Sequence, residues 1–217
     1  QIIAEMGAEH MRTGNPILYT SADSVMQIAA HEEVVSLNEL YDICQKARTI
    51  LHGPYAVGRV IARPFIGQPG NSIRTAHRRD FSLLPPGGNA LEKLMQAKIP
   101  IVGIGKIYDI FAGQYLTKSI HTDHNADGMA KLLATLKAEK DGLIFCNLVD
   151  FDMLYGHRND VYGYGRAIEE FDAFLPQLLH QLTADVLLLI TADHGNDPTT
   201  LSTDHSREYV PILMYQA

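Results

Sequence analysis

Four apolar runs, each too short for a helix, constrain this chain most: residues 99–104, 143–149, 186–190 and 210–214. Stretches of helical spacing lie before the first run, at 90–97, and between later ones, at 129–138 and 162–182. Near-continuous apolar strands that alternate with helices are buried on both faces. The expected fold class is therefore α/β, with a mostly parallel sheet flanked by helices.

The N-terminal part reads differently. Residues 2–12 have helical spacing that stops near Gly14, and 17–19 read as a short strand. Ser36-Leu-Asn-Glu39 has the form of a capping box, followed at helical spacing by Leu40, Ile43, Cys44 and Ala47. Residues 57–63 read as a strand, and Arg63 before Pro64 favours an extended backbone. Across 65–89, Gly67, Pro69, Gly70, Pro85, Pro86, Gly87 and Gly88 punctuate a stretch without periodicity. It is expected to be a long loop or linker and to hold the domain boundary. No internal repeat or low-complexity tract is visible.

The 217 residues, 46% of them hydrophobic, suffice for one large domain or two small ones. A net charge of −7 excludes non-specific nucleic-acid binding, which needs a broad positive surface. No apolar stretch is long enough to span a bilayer. Cys44 and Cys146, far apart in apolar surroundings, read as reduced thiols of a cytoplasmic protein. The chain opens on Gln1 inside a helical pattern and reads as a piece of a longer protein.

In open parallel sheets, ligands bind beyond the carboxyl ends of the strands. Asp193-His194-Gly195 follows the run 186–190, and Asp152 with His157 follows 143–149. Asp204-His205 comes shortly after. Adjacent strand residues point to opposite faces, so Asp193 and His194 act together only if the chain has left the strand there. Gly195 permits the sharp turn this requires. Alone, an Asp at a strand end is usually a helix cap, and a lone His is usually a hydrogen-bonded surface residue. Asp152, His157, Asp193, His194 and His205, five candidate ligands in three clusters, outweigh that reading. Carboxylates mixed with imidazoles suit Mn²⁺ or Zn²⁺ better than Ca²⁺ or an all-thiolate site. His121, Asp123 and His124, which no apparent strand end places, read as a polar loop.

Arg59, Arg63, Arg74, Arg78 and Arg79 lie within 21 residues of an otherwise acidic chain. Arginine suits bidentate phosphate contacts, so an anionic small molecule is the expected partner. A solvated basic face accounts for Arg78 and Arg79, less easily for Arg59 in an apolar strand. Lys106 follows Gly105 at another strand end, without a P-loop pattern. Ser21 and Asp23 offer hydrogen bonds to hydroxyls of a polar ligand; alone they read as a turn or a helix cap.

Several motifs together resemble the bacterial phosphopentomutases of the alkaline phosphatase superfamily. They are Tyr19-Thr-Ser-Ala-Asp-Ser-Val25, Gly58-Arg-Val-Ile-Ala-Arg-Pro-Phe65, Gly105-Lys-Ile107, Asn147-Leu-Val-Asp-Phe-Asp152 with Tyr155-Gly-His157, Thr191-Ala-Asp-His-Gly-Asn-Asp-Pro198 and Thr203-Asp-His-Ser-Arg-Glu208. The resemblance implies a cytoplasmic isomerase of nucleoside and pentose phosphate metabolism. It would interconvert ribose 1-phosphate and ribose 5-phosphate, and the deoxyribose equivalents. It implies two Mn²⁺ ions, with Zn²⁺ sharing the same ligand types, and a sugar 1,6-bisphosphate or pentose 1,5-bisphosphate as activator. Asp152, His157 and His205 would hold one ion, and Asp193 and His194 the other. Substrate contacts would fall to Ser21, Asp23, Arg59, Arg74 and Lys106. Residues 1–85 would form a substrate-binding cap and 86–217 the second half of the metal-binding core.

In that family a further Asp ligand and the phosphoryl-carrying Thr precede the cap, so no catalytic nucleophile is expected in these residues. The piece alone is expected to be inactive, with apolar sheet edges exposed. The partner is a small pentose phosphate, not nucleic acid or membrane; the sequence leaves oligomeric state open. A related phosphatase, a phosphoglycerate mutase, or a non-catalytic metal- or sugar-phosphate-binding fragment are the alternatives.

Overall fold

A strand–helix–strand crossover organises the N-terminal part of the chain. The computed structural model describes residues 2–21 and 24–217 and divides the chain into two compact units, Gln1–Leu84 and Pro85–Ala217. In the first, α1 (Ile2–Thr13) leads to β1 (Ile17–Ser21) and β2 (Val25–His31), then α2 (Leu37–Ile50) crosses to β3 (Arg59–Gln68). β1 and β2 pair antiparallel, whereas β2 and β3, joined through α2, are parallel. Ser36 caps α2 by accepting from the Glu39 N–H, as the capping-box spacing implies.

The expected loop over 65–89 is corrected. β3 runs on to Gln68, and two further strands, β4 (Asn71–Arg74) and β5 (Arg79–Ser82), pair antiparallel with it. Pro69 and Gly70 turn β3 into β4, with Gly70 at φ +86°. Short, largely exposed edge strands carry too few apolar residues to show a period. β2 also escaped the sequence reading: it lies between β1 and β3, and Gln27 interrupts its apolar run.

The two faces of this sheet are covered differently. On one, Ile28, Ala30, Val60 and Ala62 pack against Val35, Leu40 and Cys44 of the crossover. Full burial of aliphatic side chains of this size is worth about 1.5–3 kcal/mol each. On the other, Ile3 covers only one end, above Ile17, Ala29 and Phe65. His10 closes that end: its Nδ1 donates to the Asn15 carbonyl at 2.7 Å, and its Nε2 accepts from the His31 N–H at 2.8 Å. Further along this face the buried Val25 and Ile61 alternate with polar side chains, among them Gln27, Arg59 and Arg63.

The second unit begins with α3 (Ala90–Gln96), capped by Asn89, and β6 (Ile101–Ile104). There follow α4 (Ile107–Ile110), β7 (Lys118–Ile120), α5 (Asn125–Ala138) and β8 (Leu143–Cys146). β6 pairs in parallel with both β7 and β8, so it is central and buried throughout. A π-helical turn (Phe151–Tyr155) and a short turn (Gly156–Arg158) precede α6 (Val161–Leu179). β9 (Leu187–Thr191) and β10 (Ile212–Gln216) form a separate antiparallel pair.

The fold class is thus α/β, with parallel strands flanked by helices. Burial on both faces holds for β6 and not for the last pair. Leu188 packs with Leu178 and Leu182, but Leu187, Leu189, Ile212 and Met214 are exposed. Among the described residues, no helix is long and apolar enough to cross a membrane.

Candidate metal centre

Asp150 and Asn125 fix the start of the site. The Asn125 N–H donates to Asp150 Oδ2 at 2.7 Å, and the Asp150 N–H donates to Asn125 Oδ1 at 3.0 Å. Both residues are buried. The clasp ties the π-helical turn, which carries Asp152, to the N-terminus of α5. The next turn brings His157 Nε2 to 3.4 Å from Asp152 Oδ2. His157 Nδ1 lies 2.6 Å from the Thr203 carbonyl oxygen, so Nδ1 carries the proton there.

The second ligand-type pair follows β9. That strand ends at Thr191, so Asp193 and His194 lie beyond it, free of strand alternation. Gly195 serves close approach rather than a left-handed turn. The Ser206 N–H donates to the Gly195 carbonyl at 2.9 Å, and a Cβ on Gly195 would meet the Ser206 carbonyl oxygen at 2.8 Å. This bridge sets His205 against His194, with ring centroids 3.5 Å apart and planes within 20°. His157 also stacks on His205, with ring centroids 4.8 Å apart. His205 Nε2 lies 3.1 Å from Asp152 Oδ1.

These residues fit a metal ion. One ligand atom each from Asp152, His194 and His205 lie within 4.8 Å of one another. Donors about 2.1 Å from a common ion lie roughly 3–4 Å apart, so small side-chain adjustments suffice. The His157 tautomer fixed by Thr203 also turns an imidazole lone pair towards a carboxylate oxygen, an arrangement that needs a proton or a cation between them. Asp193 Oδ2 lies 3.6 Å from His194 Nε2 and is largely exposed. Asp204 is exposed and its N–H donates to Ser202 Oγ, outside this group.

Sequence reasoning missed one member. Asn196 Nδ2 donates to Asp152 Oδ1 at 2.6 Å, linking the loop after β9 to the one after β8. Gly156 leaves room for it: a Cβ there would fall 2.3 Å from the Asn196 amide nitrogen. The carboxamide directly after Asp-His-Gly was its available signal. Tyr164 stands close by, and burial, then the carboxylates of Asp152, Asp197 and Glu208, push its phenol pKa up.

Two further placements bear on the sequence reading. Lys106 sits in the turn between β6 and α4, where a Cβ on Gly105 would meet the Asn147 carbonyl oxygen at 2.4 Å. His121, Asp123 and His124 do follow a strand end, that of β7, correcting the expectation that nothing places them there. His121 and Asp123 are exposed and 3.8 Å apart, and His124 caps α5.

In the first unit, one face of the sheet carries Tyr19 and Ser21 on β1, Gln27 on β2, Arg59 and Arg63 on β3, and Arg74 on β4. Arg59 Nη1 lies 3.7 Å from Asp80 Oδ2, and Arg78 engages both Asp80 oxygens at 2.6 Å. Arg74 Nη2 donates to the Tyr19 hydroxyl at 3.3 Å. Arg79 stacks over Tyr41 and Phe81. Asp23 lies outside the described residues.

Relatives match nearly the whole chain. The phosphopentomutase of Caldanaerobacter subterraneus subsp. tengcongensis is 60% identical over 99% of this chain and 55% of its own length. That of Carboxydothermus hydrogenoformans is also 60% identical, with the same coverage, and that of Dictyoglomus thermophilum 57%. The chain thus spans about half the length of the curated relatives it matches. The PH0037 protein of Pyrococcus horikoshii shares the fold, with a TM-score of 0.50 over 82% of this chain and 52% of that one, at 16% identity. The family profile described as "Metalloenzyme superfamily" matches residues 68–217, and the chain belongs to that superfamily.

Proposed function

We propose that these residues are part of a cytoplasmic phosphopentomutase that interconverts ribose 1-phosphate and ribose 5-phosphate, and their deoxyribose equivalents. The observation that carries this reading is the 60% identity, over 99% of the chain, to proteins named phosphopentomutase. Residues 1–85 are the substrate-binding cap and 86–217 the second half of the metal-binding core. The phosphoryl-carrying threonine and a further Asp ligand belong to sequence outside these 217 residues.

Asp152, His157 and His205 hold one Mn²⁺ in this reading, and Asp193 and His194 contribute to the second; Zn²⁺ suits the same donors. Ions held there would supply Lewis-acid polarisation and charge neutralisation for a phosphoryl group. Thr203 holds the His157 ring in the tautomer that presents Nε2, and Asn196 orients the Asp152 carboxylate. Ser21, Asp23, Arg59, Arg74 and Lys106 bind the sugar phosphate. A mutase must return the phosphoryl group to a different sugar oxygen, and the arginines of the first unit supply the positive charge that would hold such an intermediate. A sugar bisphosphate primes the cycle.

The test is product analysis with the full-length protein, Mn²⁺, ribose 5-phosphate and a bisphosphate activator. Accumulation of ribose 1-phosphate is expected. Release of free phosphate in its place overturns the reading in favour of a phosphatase. The 217-residue chain alone is expected to be inactive, and robust turnover by it would overturn the placement of the nucleophile.

A further inference from the structure

The polar end of the first unit's sheet is organised by a residue that the substrate assignments above do not include. Gln27 is only 7% exposed, yet every polar atom of its carboxamide is engaged. Its Oε1 accepts from the Tyr19 hydroxyl at 3.1 Å and from Arg63 Nε at 2.7 Å, and its Nε2 donates to Ser21 Oγ at 2.9 Å. The Tyr19 hydroxyl in turn accepts from Arg74 Nη2 at 3.3 Å. One buried carboxamide thus connects β1, β2, β3 and β4 and ties two guanidinium groups into a single network.

Strand register explains why these side chains meet. Tyr19 is paired with Gln27, Gln27 with Ile61, Ala29 with Arg63, and Phe65 with Arg74. All of these project to one face of the sheet, on which Ala29 and Phe65 lie under Ile3 of α1 and the polar side chains sit beside them. Among the described residues Arg63 makes its side-chain hydrogen bond through Nε, to Gln27, and the outer edge of the guanidinium, with both terminal nitrogens, faces away from that contact. Its charge is uncomfortable as it stands: burial, then Arg78 and Arg74, lower its pKa. Among the described residues Asp80 is a nearby carboxylate, and it already engages both oxygens with Arg78 and lies beside Arg59.

We propose that Arg63, braced by Gln27, is a second anion-contact residue beside Arg74, and that the pair receives the phosphate monoester of a sugar phosphate. A guanidinium fixed through Nε presents its outer edge in a defined plane, the geometry that a phosphate accepts in bidentate fashion. Gln27 is a positioning residue and touches no ligand. The inference rests on the proposed function only for the sugar; the anion site stands on residues of the first unit.

The experiment is a titration of the 217-residue chain, in chelator, with inorganic phosphate, ribose 5-phosphate and ribose, followed by NMR through the arginine Nε–H signals. Inorganic phosphate and ribose 5-phosphate are expected to compete, to shift the Arg63 signal, and to bind about 10–100-fold more weakly to Arg63→Met. Gln27→Leu is expected to weaken both and to broaden that signal. Arg63→Lys, which keeps the charge and lacks the planar fork, is expected to lose about tenfold and decides the matter if Arg63→Met unfolds. Wild-type affinity in the Arg63 variants, or no binding of either anion, overturns the inference. If ribose 5-phosphate binds no better than inorganic phosphate while the Arg63 dependence holds, the inference stands and the pentose-phosphate reading fails.

Discussion

Asn196 donates its amide to Asp152 Oδ1 at 2.6 Å, joining two loops that are 44 residues apart in sequence. Asp152 Oδ1 also faces His205 Nε2 at 3.1 Å, so Asn196 sets how that carboxylate is turned towards the imidazoles. Removing a hydrogen-bond partner of a ligating carboxylate typically costs 10–100-fold in metal affinity. Asn196→Ala is therefore expected to weaken Mn²⁺ binding by about that factor, with the thermal midpoint in chelator unchanged. Calorimetric titration with Mn²⁺ checks this, and wild-type affinity would rule out the orienting role.

The buried His10 predicts a stability effect remote from any chemistry. Its Nε2 is the acceptor for the His31 backbone N–H, and both residues are only 2% exposed. His10→Ala orphans that donor, at about 1–3 kcal/mol, and adds a loss of packing against Phe65. Urea unfolding should show a lower midpoint at an unchanged slope. A change under about 0.5 kcal/mol would mean that the contact is not stabilising.

Glu32 supplies a pH dependence. The Thr75 hydroxyl at 2.5 Å, and then the His77 imidazole at 2.9 Å, hold its carboxyl below the ordinary glutamate value. A carboxyl with a depressed folded-state pKa binds fewer protons folded than unfolded, so its stabilisation is complete above about pH 4.3 and is lost as pH falls through the folded value. Glu32→Gln should flatten the acid limb of stability against pH. An unaltered limb would remove Glu32 from the account.

Thiol chemistry reports on the two cores separately. Burial pushes the Cys44 thiol up to about 12 and that of Cys146 up to about 11. Alkylation with iodoacetamide at pH 8 should therefore be slow for both in the folded chain and fast in urea, because the thiolate is the reactive form. Rapid labelling of Cys44 without denaturant would contradict the burial of α2 against its sheet.

Local signals made some of this molecule legible in sequence. Ser36 and Glu39 mark the start of α2 because a cap is a contact between near neighbours. The apolar run at 101–104 is buried throughout because β6 has a strand on each side and α3, α4 and α5 pack against it. Asp152, His157, Asp193, His194 and His205 stand out because carboxylate and imidazole recur after apolar runs. Where sequence reading stopped, the missing information was pairing. β4 and β5 are strands because β3 offers them hydrogen bonds, although Asn71–Arg74 and Arg79–Ser82 carry little apolar period of their own. Gln27 looks like an interruption of a strand and is the hub of a network only through the register of β1, β2 and β3. That His194 stacks on His205, and that Asn196 reaches Asp152, follow from the Gly195–Ser206 bridge and the room left by Gly156. Composition and spacing determined which residues this chain has available for metal and anion chemistry. Tertiary structure alone decided which of them meet, because contacts between residues distant in sequence depend on backbone pairing and close approach, which no local pattern encodes.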